Sequence, residues 1–307
     1  MELILHPLTG KHEKQSGMEV RWFTEGIATS HFSSDSLRVT GNPHIDGAPS
    51  ILIFGDSYVE AFQVNDEETM GSVLERRLRS SGRPWNVLQY GWSGADGPEY
   101  IYAAPMLKQK YPYQRIFVVM NSGDFVPSSQ NVRLVRRREM VTAETISAGF
   151  VPGHPASNTG KMAGIFKESG LFYACGARFL SDILPRLTNR GSDLPSVAAR
   201  RRVSADAVDI VITGLKQAYG DNLVVLYVPA EPYLPQDLPQ LENSVVLDSC
   251  RAHGIACVSL YEPILQELEV NHRLARGFNN TAPAWIHLNK LGHRLAANAM
   301  YDWLKSH

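Results

Sequence analysis

The sequence predicts an α/β protein built on a parallel β-sheet that helices cover on both faces. Short apolar runs recur along the chain with helical stretches between them, an alternation typical of parallel sheets. The runs span residues 51–54, 86–89, 116–120, 223–228 and 256–260. The first run, Ile-Leu-Ile-Phe, has apolar residues on both faces, as a central parallel strand does. Five buried strands are therefore expected.

Two of the helices have clear start signals. Between the first two runs, Asn65 can act as an N-cap with Glu68 three residues later, which is the spacing of a capping box. Near the end of the chain, Asn289 can cap a helix with one apolar face. That face comprises Leu291, Leu295, Met300, Trp303 and Leu304. The first helix has its own apolar stripe of Val73, Leu74 and Leu78, and both stripes are predicted to be core.

Two segments do not follow the alternation. Residues 1–48 lack a clear period and carry Gly, Ser and Pro, so we interpret them as an N-terminal extension packed on a single domain of residues 49–307. Residues 126–204 separate the third and fourth runs by more than a usual crossover. We interpret them as an insertion that bounds the substrate pocket.

The composition is that of an ordinary globular protein and excludes several functional classes. Of 307 residues, 44% are hydrophobic and 20% charged, and 30 basic residues face 31 acidic ones, so no nucleic acid or acidic membrane surface is indicated as a partner. No apolar run approaches membrane-spanning length, and the first residues lack a signal-peptide pattern. A cytoplasmic location is expected unless a leader has been removed. The three cysteines have no metal-site spacing.

Gly-Asp-Ser follows the first run and places Ser57 at the carboxyl end of a central strand. Ligands bind at this edge of open α/β sheets, so Ser57 stands where chemistry is usually done. A serine here can also be an ordinary N-cap of the next helix. Gly-Asp-Ser alone does not decide between these roles.

Further segments extend the pattern beyond Ser57. Gly91 follows the second run, a polar cluster at residues 121–124 follows the third, and His287-Leu-Asn-x-x-Gly-His precedes the last helix. This spaced series resembles the SGNH, or GDSL, hydrolase family over residues 49–307. The resemblance implies a three-layer α/β/α flavodoxin-like fold with a five-stranded parallel sheet. It also implies serine esterase or acyl-transfer chemistry.

The resemblance assigns a role to each matching residue. Ser57 takes the place of the nucleophile, and His287 that of the base. Gly91 matches a glycine whose amide joins the Ser57 amide in the oxyanion hole. The chemistry agrees, because a serine hydroxyl needs a base such as histidine and the tetrahedral oxyanion needs prearranged amides. We expect no cofactor and no metal, since His287 and His293 have no carboxylate or cysteine partner at ligand spacing.

The chain departs from the family pattern at two positions. Aligning the aspartates of the third block puts Gly123 where the family has an oxyanion asparagine, so Asn121 is the substitute donor that we predict. The triad acid usually lies three residues before the histidine, where this chain has Ala284. His287 then works in a Ser-His dyad, or Glu231 or a main-chain carbonyl orients its ring, or the site has lost catalysis.

The function that we predict is a serine esterase or deacylase that forms an acyl-enzyme on Ser57 with a small-molecule or glycan ester. An O-acyltransferase with the same residues and a catalytically silent binding module are the alternatives. Ser93, in Gly-Trp-Ser-Gly-Ala, is a rival nucleophile because it follows a strand. The basic run at residues 133–139 can receive an anionic substrate or an acyl carrier, or it is a solvated face.

Overall fold

The computed structural model describes residues 17–125, 205–229, 238–281 and 286–307, together with the short strands β1 (Ile4–Leu5) and β2 (His12–Glu13). All of these residues belong to one compact unit. The predicted insertion at 126–204, the basic run at 133–139, and residues Glu231 and Ala284 lie outside the described residues.

The N-terminal extension contains an antiparallel β-hairpin that the sequence pattern did not predict. Its strands are β3 (Glu19–Trp22) and β4 (Ala28–His31), with Trp22 paired to Ala28 beside the turn. Gly26 lies in the turn with a φ of 72°, a left-handed conformation that glycine adopts without strain. The turn between the strands therefore presents residues 23–27 at the tip of the hairpin.

The five apolar runs form one parallel sheet, as predicted. Its strands are β5 (Ser50–Gly55), β6 (Asn86–Gly91), β7 (Arg115–Asn121), β8 (Leu223–Val228) and β9 (Ala256–Ser259). Their spatial order is β6-β5-β7-β8-β9, which is the flavodoxin-like order. β5 lies inside the sheet between β6 and β7, and all six of its residues are buried. Its carboxyl end is therefore at the point where the strand order reverses.

Helices cover both faces of the sheet and give the predicted three layers. They are α1 (Ser57–Glu60), α2 (Met70–Ser80), α3 (Gly97–Lys110), α4 (Ala205–Tyr219), α5 (Leu238–Ala252), α6 (Tyr261–Glu269) and α7 (Lys290–Ser306). The cluster on one face joins α3, α4 and α5 to Leu52 and Phe54. The cluster on the other face joins α2, α6 and α7 to Ile51 and Ile53. Alternate residues of β5 thus face opposite cores.

The predicted helix caps are present, one of them displaced. Asn289 caps α7, since its Oδ1 accepts from the amides of Leu291 at 2.9 Å and Gly292 at 3.2 Å. The Glu68 carboxylate accepts from the Asn65 amide at 3.2 Å, but this box closes a 3₁₀ turn rather than α2. α2 begins later, after Thr69, so the prediction of its start was wrong by one turn. None of the described helices is long and apolar enough to cross a membrane.

Arg38 joins the extension to the sheet and to the loop after α1. Its amide donates to Gln89 O at 2.8 Å, and its buried guanidinium donates to Asp66 at 2.7 Å. The guanidinium also donates to the carbonyl oxygens of Glu60, Ala61 and Val64 at 2.7–2.9 Å. One buried side chain therefore satisfies three carbonyl groups and one carboxylate, so its loss leaves several buried acceptors without a donor.

We expect Arg38→Leu to lower the free energy of unfolding by about 3–5 kcal/mol, because removing one partner of a buried ion pair leaves the others uncompensated. Urea unfolding followed by circular dichroism measures the change. Arg21→Leu is the matched control: Arg21 pairs with Glu19 on the exposed surface of the same extension, and its loss should cost less than about 1 kcal/mol. Equal losses for the two variants would contradict the anchoring role of Arg38.

Candidate active site

Ser57 is the first residue of α1 and is not its N-cap. The cap is Asp56, whose Oδ1 accepts from the Tyr58 amide at 2.9 Å. The alternative of Ser57 as an ordinary cap is therefore wrong. Its Oγ instead lies 2.9 Å from Nε2 of His287, within hydrogen-bonding distance. The structure thus brings together the two residues that the sequence pattern placed 230 positions apart.

The loop that carries His287 is held on both sides by its neighbours. Tyr58 and Arg276 both donate to the carbonyl oxygen of Ile286, at 2.8 Å and 2.9 Å. The guanidinium of Arg276 is buried and also bonds to Tyr58 Oη and to Pro229 O. The carbonyl of His287 itself accepts from the Gly277 amide at 3.2 Å. The backbone around the imidazole is therefore fixed by charged and neutral donors.

Glu25 contacts His287 on the side of the ring opposite Ser57. Its Oε2 lies 2.5 Å from Nδ1, and its Oε1 accepts from the His287 amide at 3.0 Å. Glu25 lies in the turn of the hairpin and is buried. With a carboxylate at Nδ1, the proton of the neutral ring belongs on Nδ1, which leaves the Nε2 lone pair facing Ser57. Ser57, His287 and Glu25 thus form one hydrogen-bonded line.

Glu25 was not predicted from the sequence. Ala284, at the position of the family acid, and Glu231, the predicted alternative, both lie outside the described residues. Glu25 is 262 positions before His287 and belongs to a segment without periodicity. The stretch Trp-Phe-Thr-Glu-Gly-Ile-Ala-Thr does read as two short strands around a glycine turn, so a hairpin was predictable. The contact between Glu25 and His287 was not predictable, because nothing in the local sequence specifies a contact over that separation.

The backbone amide of Ser57 is available for an oxyanion, since within the described residues it has no hydrogen-bond partner. Gly91, the predicted second donor, is buried, and a Cβ there would lie 2.1 Å from the Glu60 amide nitrogen. The packing of Gly91 against α1 already requires a glycine, and its donor role stays a prediction.

Asn121 is committed to other partners. Its Nδ2 donates to Oδ2 of Asp56 and of Asp124, both at 3.1 Å, and its Oδ1 accepts from the Gly123 amide at 2.7 Å. The Nδ2 group thus contacts two carboxylates here, and the oxyanion role of Asn121 stays a prediction. Asn121 links the two buried carboxylates beneath Ser57.

These two carboxylates are the most perturbed acids near the site. Burial raises the pKa of Asp56 to about 6, although the Tyr58 amide and His287 oppose the rise. Burial, and next the charge of Asp56, raise the pKa of Asp124 well above its usual range. Two buried acids close to one another favour a shared proton over two full charges. Asp56 and Asp124 together therefore carry less negative charge than two ionised carboxylates would.

The other candidates lie apart from the line of three residues. Ser93 is exposed, and its hydroxyl bonds to the carboxylate of Glu60, so no histidine activates it in the described part of the chain. His293 is buried, and burial lowers its pKa to about 3, which keeps it neutral. Across the described residues, no group of three or more His, Cys, Asp or Glu side chains is placed to hold a metal ion.

We expect Asp124→Asn to weaken the pH dependence of stability. Buried carboxyl groups with raised pKa values hold protons that the unfolded chain releases near pH 4, so the stability they contribute is complete below pH 4 and is lost as pH rises through the raised values. Between about pH 4 and 7, the free energy of unfolding of the wild type should thus fall by on the order of 1 kcal/mol more than that of the variant. Urea unfolding at several pH values measures this difference, with Asp46→Asn as an exposed control. If the difference in free energy of unfolding between the wild type and Asp124→Asn did not change with pH, the raised pKa of Asp124 would be contradicted.

Comparisons with known proteins find similar folds only. No protein-family model and no curated protein matches the chain. Similar solved structures include the lipase/acylhydrolase from Enterococcus faecalis, with 11% identity and a TM-score of 0.47 over 84% of this chain and 96% of that chain. A member of the lipolytic protein G-D-S-L family from Veillonella parvula has 13% identity and a TM-score of 0.44 over 84% and 99%. A Clostridium thermocellum family 3 carbohydrate esterase has 14% identity and a TM-score of 0.40 over 84% and 98%. These values are too low to transfer an activity, so function has to be inferred from the side chains.

Proposed function

We propose that this protein is a serine esterase or deacylase that cleaves an acyl ester through an acyl-enzyme on Ser57. The observation that carries the proposal is the hydrogen-bonded line from Ser57 Oγ through the His287 ring to the Glu25 carboxylate. This is the arrangement of a nucleophile, a base and an orienting acid, which is recognised by geometry rather than by sequence position. In this proposal the Glu25 carboxylate orients the His287 ring, in place of the Ser-His dyad, Glu231, the main-chain carbonyl or the lost catalysis that the sequence left open.

In the acylation step, Ser57 Oγ attacks the ester carbonyl carbon while Nε2 of His287 takes its proton. The imidazolium that forms lies against the Glu25 carboxylate, which stabilises its charge. The tetrahedral oxyanion accepts a hydrogen bond from the amide of Ser57. The intermediate then collapses, the C–O bond to the alcohol breaks, and the leaving oxygen takes the proton from Nε2.

In the deacylation step, water takes the place of the alcohol. His287 removes a proton from the water as it attacks the acyl carbonyl carbon, and it returns that proton to Ser57 Oγ as the acyl–oxygen bond breaks. A carboxylic acid leaves, and the free enzyme is restored. An alcohol acceptor uses the same residues in this step, so hydrolysis and transfer are separated by their products.

Labelling with a fluorophosphonate tests the nucleophile. We expect one covalent adduct, mapped by mass spectrometry to Ser57, because its hydroxyl faces Nε2 of His287 while the Glu25 carboxylate contacts the other nitrogen of that ring. His287→Ala should slow labelling at least about 100-fold, since the general base is lost. Ser57→Ala should abolish the adduct, whereas Ser93→Ala should leave it unchanged. An adduct on Ser93, or none on the folded wild type, would sink the proposal.

Glu25→Gln tests the acid. Glutamine keeps the size of the side chain but loses the charge, so kcat for a small nitrophenyl ester should fall by about 10³–10⁴, as for the aspartate of serine proteases. Glu25→Asp keeps the charge and should retain more activity than Glu25→Gln. Glu19→Gln is the matched control, an exposed carboxylate on the same hairpin. If Glu25→Gln keeps more than about a tenth of the wild-type rate, Glu25 is not the orienting acid.

A further inference from the structure

We infer that Asn280 is a positioning residue that holds the hairpin turn so that Glu25 meets His287. The inference rests on the proposed function, because it concerns how the triad acid is placed. Asn280 bonds to the backbone of Phe23 and Gly26 and not to Ser57 or His287, and it lies outside the Gly-Asp-Ser and His-Leu-Asn segments. Its side chain is directed instead at the backbone on both sides of Glu25.

The bonds of Asn280 enclose the turn. Its Oδ1 accepts from the Gly26 amide at 2.8 Å, and its Nδ2 donates to Phe23 O at 3.0 Å and to Gly26 O at 3.2 Å. All the donors and acceptors bonded to this one side chain belong to residues that flank Glu25 within two positions. An amide side chain offers this combination of one acceptor and two donors, whereas a carboxylate or a hydroxyl does not.

The turn that presents Asn280 is itself rigid. The amide of Thr281 donates to Phe278 O at 3.0 Å, and Thr281 Oγ1 accepts from the Phe278 amide at 2.9 Å. Gly26 is seated directly on this turn, since a Cβ at Gly26 would lie 2.9 Å from Phe278 Cδ1 and 2.5 Å from Gln63 O. The Asn280 side chain therefore connects its own turn to the backbone of the hairpin turn. These bonds fix the position of Glu25, which lies in the hairpin turn.

Other contacts hold the strands of the hairpin but not its tip. The amide of Thr29 donates to Asn65 Oδ1 at 3.1 Å, that of His31 donates to Asp66 Oδ1 at 3.1 Å, and the ring of Trp22 stacks on Phe62 with centroids 5.5 Å apart. These contacts keep the hairpin on the domain when Asn280 is replaced. Loss of Asn280 should then loosen the Glu25 turn without unfolding the extension.

The first measurement is kinetic. Asn280→Ala should lower kcat for a small nitrophenyl ester about tenfold with little change in KM, because the substitution misplaces the acid and not the substrate. In a Glu25→Gln background the same substitution should change kcat less than about twofold, since Asn280 then has no acid to place. Asn279→Ala, at the exposed neighbouring residue, is the matched control and should leave kcat unchanged. Equal losses in both backgrounds, or no loss in the folded Asn280→Ala protein, would overturn the role.

The second measurement does not depend on activity. The amide of His287 donates to Glu25 Oε1, so its hydrogen exchange reports the Glu25 contact directly. In Asn280→Ala, exchange at the Gly26 and His287 amides should be about tenfold faster, with the amides of β5 unchanged. Unchanged exchange at His287 would overturn the positioning role even in a protein without turnover. Absence of turnover in a wild type that shows the expected exchange would count against the proposed function alone.

Discussion

The contact between Glu25 and His287 is the interaction on which the rest of the site depends. A serine hydroxyl becomes a useful nucleophile only when its base presents an unprotonated nitrogen, and a carboxylate on the far side of the ring sets that tautomer. Here the carboxylate bonds both the ring and the backbone amide of the same histidine. This double contact fixes the orientation of the imidazole ring as well as the nitrogen that carries its proton. The Asn280 side chain bonds to the backbone of the Glu25 turn, and Tyr58 and Arg276 bond to the backbone of the loop that carries His287.

Most of the sheet was predictable because burial on both faces leaves a continuous apolar run. All five runs became strands, with ends shifted by at most two residues. Local chemistry also identified Asn289 as a cap. It misplaced the start of α2, because Asn65 bonds to the Thr29 amide of the hairpin and Thr69 takes over as the cap. Tertiary contacts decided between two residues that have similar intrinsic capping tendencies.

The site was predictable where its residues lie in the two sequence motifs and not where they come from the N-terminal hairpin. Ser57 follows the carboxyl end of β5, and His287 was identified by its position just before α7, on the loop after α6. Asn121 also sits at a strand end, but its amide is drawn to Asp56 and Asp124, because unpaired buried carboxylates are costly. Glu25 enters on a hairpin whose partner is remote. Neither hydrophobic periodicity nor a local motif predicts such a contact, and it is seen only in the three-dimensional structure.

The order of the three residues along the chain has a consequence for biosynthesis. The hairpin bearing Glu25 leaves the ribosome first, Ser57 follows, and His287 comes 230 positions after Ser57. A nascent or truncated polypeptide that ends before this last residue therefore lacks the contact between Ser57 and the His287 ring. Closing so long a loop also costs more chain entropy than forming a local turn. Under the proposed function, Ser57 has no base until the segment that carries His287 has been made and has folded back onto it.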